Sequence, residues 1–238
     1  MKYFPILFLA SCFLTLSSCE DPMTETEPPV QGSRVSLEKL SDSCSYTLYD
    51  KLHTHVRVLG PERRFAQVNL DSVTDKGHPD SIFYSNSFEF RSSDNSLITI
   101  RFSKKYPKKE LTKVAWFNAP ENEKELYAVG EHRYAVDYNR FNTQNGIAID
   151  IQNSTDGFLQ SYLPGNRRYP TTLGLDYQNN SKFEITRFSK LRNGNYLLEA
   201  RFSANLLSNV PTRYDWNAIA SQRRVENGYL RMQLRVNQ

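Results

Sequence analysis

The sequence predicts an all-β body, an antiparallel β-sandwich with at most one short helix, and three observations carry that expectation. Apolar residues recur at every second position through most of the chain, the period of a strand with one buried face. Clusters of Asn, Asp, Gly and Ser separate these runs, as hairpin turns require. No rhythm of strand, helix and strand is present, so the sheet is expected to be antiparallel.

The chain begins with a segment that is not part of this body. One charge at Lys2 precedes an apolar run from Tyr3 to Leu16. A membrane-spanning helix needs about 20 apolar residues, so this shorter run reads as a secretory signal over residues 1–18. The residues Leu16, Ser17, Ser18 and Cys19 resemble the lipobox of bacterial lipoproteins. The resemblance implies that the Cys19 sulfur receives a diacylglycerol, with a third acyl chain such as palmitate on the new amino terminus. Residues 19–33 then form a tether. Its stretch EDPMTETEPPVQGS contains four acids, three prolines and no Lys or Arg, too polar to pack and stiffened by proline.

The body spans residues 34–238, with a subdivision near 104–120 left open. It contains 29 basic and 22 acidic residues, a formal charge of +7 against −4 for the tether. An exported basic surface suits anionic partners, but the bases are scattered and no nucleic-acid motif accompanies them, so nucleic acid is not an expected partner. With Cys12 in the signal and Cys19 acylated, Cys44 is the only thiol left. It has no partner for a disulfide and reads as a small buried hydrophobe in CSYTLYD.

In chain order, Leu52, Thr54, Val56 and Val58 form the expected inward face of the next strand. His53, His55 and Arg57 then look out to water. Ile98, Ile100 and Phe102 alternate with Thr99 and Arg101, and SSDNS at 92–96 joins them to SNSFEF as a hairpin. KKYPKK at 104–109 reads as a solvated loop. PENEKELYAV, with proline first, acids in its first turn and Gly130 after its end, is the one expected helix. Tyr134, Val136 and Tyr138, and then Ile147, Ile149 and Ile151, alternate again. RNGN at 192–195 joins KFEITRF to YLLEARFSANL, whose Tyr196, Leu198, Ala200, Phe202, Ala204 and Leu206 share one side. Leu230, Met232, Leu234 and Val236 close the pattern against Arg231, Gln233 and Arg235.

From GIAIDIQNSTDG through SKFEITRF, YLLEARFSANLL and VENGYLRMQLRV, the C-terminal half resembles a type of uncharacterised Bacteroidota outer-membrane lipoprotein. Its last strands run in a similar order and end on an NG turn. The resemblance covers residues 120–238 and the signal. It implies a β-rich domain and an outer-membrane address, and it transfers no catalytic residue. Acids directly after Cys19 also resemble the surface-export signal of that phylum, which implies the cell surface. A spacer on the periplasmic face is the alternative.

Chemistry is sparsely signalled. His53 and His55 share a strand face, as metal ligands do, but Arg57 beside them would repel a cation. Asp150, Asn153 and Asp156 offer oxygens before Gly157, yet they are also ordinary turn residues. No metal and no cofactor is therefore expected. There is no G-x-S-x-G and no H-E-x-x-H, and no spacing singles out a carboxylate pair among Glu89, Asp137, Asp150, Glu184 and Glu199. The aromatic content of 13% directs attention to Trp116, Tyr162, Tyr169, Tyr214 and Trp216, in loop-like stretches where rings could form a binding platform. These observations lead to the expectation of a lipid-anchored outer-membrane protein that binds a glycan or a partner outer-membrane protein. A structural or adhesive surface subunit and a polysaccharide hydrolase are the alternatives.

Overall fold

The computed structural model describes residues 36–57, 63–67, 81–114, 117–136, 145–162, 176–208 and 221–236. The strands are β1 (Ser43–Leu48), β2 (Lys51–Arg57), β3 (Arg63–Gln67), β4 (Ser81–Arg91), β5 (Leu97–Pro107), β6 (Leu111–Val114), β7 (Phe117–Pro120), β8 (Gly130–His132), β9 (Gly146–Asn153), β10 (Gly157–Gln160), β11 (Lys182–Lys190), β12 (Tyr196–Ser208) and β13 (Ser221–Leu234). The expected alternating runs fall in them except that of Tyr134 and Val136, where Tyr134 makes only an isolated bridge to Ile147; Tyr138 lies outside the described residues. β6 and β7 pair only with each other, and every other strand belongs to one antiparallel sheet. No helix among the described residues is long and apolar enough to cross a membrane.

The expected sandwich of two sheets is corrected by the pairing. The order β10-β9-β5-β4-β2-β1-β13-β12 closes on itself because Gln160 of β10 pairs with Leu207 of β12, giving a barrel of eight strands. β12 is 13 residues long and divides one edge between two neighbours. Its Tyr196–Ser203 stretch pairs with β11, and Leu207 pairs with β10. β11 carries β8, and the chain after β8 touches β9 through a parallel bridge from Tyr134 to Ile147. The wall between β9 and β12 is thus β10 at one end and β8 with β11 at the other. Gly146 permits that second crossing, since a Cβ there would lie 2.4 Å from the Arg133 carbonyl oxygen.

Alternation and closure leave the same local trace, an apolar face on each strand. Closure of the ring is what removes the unpaired edges of a sheet. Bulges that bend the strands help it. Thr186 is the extra residue on β11, and Asn227 stands at the bulge of β13 with φ 51°. The NG pair expected as a turn is therefore a bulge in the middle of a 14-residue strand. Gly228 beside it has the inner ring of Phe202 where a Cβ would fall, 2.5 Å away. Gly228→Ala is expected to cost about 1–3 kcal/mol through overpacking, read as a lower urea midpoint. Asn227→Gly, which relieves the positive φ, should leave the midpoint unchanged or raise it.

Rings fill the interior. Phe102 of β5 meets Phe88, Phe183 and Tyr127 edge to face at 6.0, 5.8 and 5.3 Å, and Phe183 stacks on Phe202 at 5.9 Å. Tyr127 belongs to the segment expected as a helix, which is a 3-10 turn of five residues, Glu123–Tyr127. β8 begins three residues later, too soon for a longer helix, and the turn instead plugs one barrel end. Its Glu123 is fully buried and accepts a 2.8 Å bond from the Tyr84 hydroxyl, while the Asn86 amide donates to Tyr127 at 2.9 Å.

The parity expected for β2 is inverted. His55 is fully buried and His53 half-buried, both stacked on the Tyr46 ring, while Leu52 and Val56 are 72% and 56% exposed. The cause is register. Tyr49 and Asp50 form a two-residue turn with φ 52° and 58°, the tight hairpin type that matches strand twist. That turn sets His53 opposite Tyr46 and His55 opposite Cys44. Tyr46 and Cys44 point inward with Leu48 and carry the histidines with them. Arg231 is likewise buried where a wet position was expected, because residues 36–42 strap across it. Its guanidinium donates to the carbonyls of Leu37, Leu40 at 2.9 Å and Ser41 at 3.2 Å. Cys44 is buried as expected, and desolvation pushes its thiol above the ordinary range.

Candidate ligand-binding face

Two cavities are lined by described residues. The larger is an open concavity of about 570 Å³ over β11, β12 and β13, lined by Lys182, Glu184, Arg201, Ser203, Asn227 and Tyr229. Its floor follows from pairing. Glu131 lies opposite Glu184, Glu184 opposite Arg201, Arg201 opposite Tyr229, and Tyr229 opposite Ser45, a row across five strands on the outward parity. Next to this row, the β13 bulge at Asn227 shifts the register beside Ser203.

Hydrogen bonds hold most of these groups in place. The Tyr229 hydroxyl donates to Glu199 at 2.8 Å, so the ring stands fixed and about a third exposed. Burial, then this bond, hold the phenol above its ordinary pKa range, so it stays protonated. Lys182 binds Glu184 at 2.8 Å, which lowers the carboxyl pKa and raises that of the amine. Arg201 is exposed and makes no hydrogen bond or ion pair among the described residues. The face therefore offers a planar cation, an ammonium, a carboxylate, an amide and one aromatic ring. Such a set suits a ligand with many hydroxyls or an acid group.

A second cavity of about 290 Å³ lies between the Glu123–Tyr127 turn, β8 and β9. There Lys104 pairs with Glu125, and the Ser103 hydroxyl is buried without a partner. Its mouth is balanced in charge and smaller.

The residues singled out from sequence are mostly elsewhere. Trp116, Tyr169, Tyr214 and Trp216 lie outside the described residues, as do Asp137 and Val58. Tyr162 is half-buried after β10 and bonds to Asp150 through its side chain. Asp150 faces Arg101 at 3.5 Å, and burial raises its pKa. Asn153 and Asp156 spend their oxygens locally: Asn153 caps the backbone N–H groups of Thr155 and Asp156, and Asp156 binds Arg223 at 3.3 Å and the Tyr49 hydroxyl. These three residues do not converge, and no group of three or more His, Cys, Asp or Glu placed to hold a metal occurs among the described residues. Arg201 and Tyr229 went unread because single outward residues on alternating strands look like solvated wall. The usable signal was Asn-Gly inside a long strand pattern, which marks a bulge.

Comparison of the chain with family models, with curated proteins and with solved structures finds no match.

Proposed function

We propose that the chain is a lipid-anchored outer-membrane binding protein, displayed at the cell surface, that captures a saccharide on the outer wall of its barrel. The observation that carries the reading is the union, over the β13 bulge, of an exposed Arg201, which makes no hydrogen bond or ion pair among the described residues, with a fixed, exposed Tyr229 ring. A sugar ring has an apolar face for the aromatic and equatorial oxygens for the guanidinium. The position of the larger described cavity over β11, β12 and β13 supports capture on the outside, and the lipobox at Cys19 with the acidic tether supports the address.

The test is a glycan array probed with the mature chain carrying Cys19→Ser. Binding of at least one saccharide class is expected. Arg201→Gln and Tyr229→Ala are each expected to weaken it about tenfold, ~1.4 kcal/mol, with circular dichroism unchanged. A chain that binds no saccharide, or whose binding ignores both substitutions, sinks the reading.

A further inference from the structure

Among the described residues, the two ends of the barrel differ in charge. At one end lie the β1–β2, β4–β5 and β9–β10 turns. Here Asp50, Asp94 and Asp156 stand against Lys51, Arg91 and Arg223, with no surplus of either sign among these described residues. The other end holds the β11–β12 turn, the end of β13 and the strap that begins at Ser36. Glu38 accepts the Asn193 N–H at 3.3 Å, and its carbonyl accepts from Gln233 at 3.0 Å, which ties the strap to that turn. Lys39, Lys190, Arg192 and Arg235 are all exposed here, and so are Leu37 and Leu40, at 37% and 40%. The run KKYPKK is not the solvated loop expected: Lys104–Pro107 complete β5 with Tyr106 buried, and Lys108 and Lys109 after it are exposed beside Glu110.

Exposed leucines ringed by cations are what an anionic bilayer surface takes from water. The cations gain from the surface potential and the leucines from the acyl boundary. The chain joins the barrel at this end, since Ser36 follows the tether. The 16 residues between Cys19 and Ser36, the tether and the first two of the body, span at most roughly 55 Å when extended. They would hold the end at high effective concentration near the bilayer, so weak attraction suffices.

We propose that this end is a membrane-docking surface that rests on anionic lipid headgroups, standing the barrel upright with the β1–β2 tip outermost. The inference rests on the anchored amino terminus proposed above, and the two can fail separately.

The experiment is co-sedimentation of the mature chain carrying Cys19→Ser with phosphatidylcholine vesicles, with and without phosphatidylglycerol. Binding is expected only with the anionic lipid and is expected to fall with salt. Lys190→Glu with Arg192→Glu should weaken it at least tenfold, at about fivefold per cation, and Leu40→Ser should weaken it on the same vesicles. Lys51→Glu with Arg91→Glu, at the other end, should leave it unchanged. Equal loss from both double variants would mean net charge alone is read and would overturn the proposal, as would equal binding to neutral vesicles or none to either. The anchor is judged independently by the mass of Cys19 in native membranes: a bare thiol ends that reading whatever the vesicles report.

Discussion

Phe102→Ala is expected to remove about 3–5 kcal/mol of stability, a large share of what a domain of this size holds. The ring is 1% exposed and meets three others, one from the neighbouring strand β4, one from β11 and one from the turn that plugs the barrel end. Truncation leaves a void where β4, β5, β11 and the turn meet. The wall cannot collapse into it, because the ring of hydrogen bonds fixes the barrel radius. Tyr127 loses its edge-to-face partner, so the plug should loosen along with the wall. Urea unfolding of the mature chain should show a lower midpoint with an unchanged slope. Phe158→Ala is the control, since that ring is 49% exposed on β10 and should cost well under half as much. Equal losses for the two would place the core elsewhere.

How far the sequence carried depends on whether a feature was written locally. The inward residues of β12, from Tyr196 to Leu206, are buried at every expected position, and so are those of β5 and β9. Period two and the two turns RNGN and SSDNS were enough for that. β2 failed because its parity is decided by its partner. Its own apolar side, Leu52 and Val56, is the more hydrophobic, yet a two-residue turn locks the histidines opposite Cys44 and Tyr46. Barrel closure failed for a similar reason, since Gln160 and Leu207 meet from distant segments and nothing in either marks the meeting. The wet face of β13 was legible except at Arg231, where a strap from the other end of the chain covers it. For the binding face, only the Asn-Gly bulge left a local trace. Arg201 and Tyr229 become neighbours only when β12 and β13 are in register.

Because β2 is inverted, acid should act on the fold through His55. Its ring is buried against Tyr46, Nε2 bonds the Ser96 hydroxyl at 2.9 Å, and Nδ1 has no partner. Burial first, and then the neighbouring His53, lower its pKa from 6.5 to about 4. Asp94, across the β4–β5 turn, opposes them only weakly, since its carboxylate is already held by Ser92 and Ser96. The unfolded chain takes up a proton as pH falls through about 6.5, whereas the folded chain does so only near 4. The stability that His55 contributes is therefore complete above pH 6.5 and is lost as pH falls toward 4, up to about 3 kcal/mol in all. His55→Gln can keep the bond to Ser96 and cannot titrate, so its unfolding midpoint should change much less between pH 7 and pH 4 than that of the parent. Identical pH profiles would remove His55 from the account. A protonated ring needs a second acceptor that the closed tip does not supply. The β1–β2 hairpin, pinned at Tyr49 by Asp156 and Arg223, should therefore lift from the barrel mouth before the wall unfolds. Amide exchange at pH 4 should show it, with protection lost in residues 51–55 while β12 stays protected.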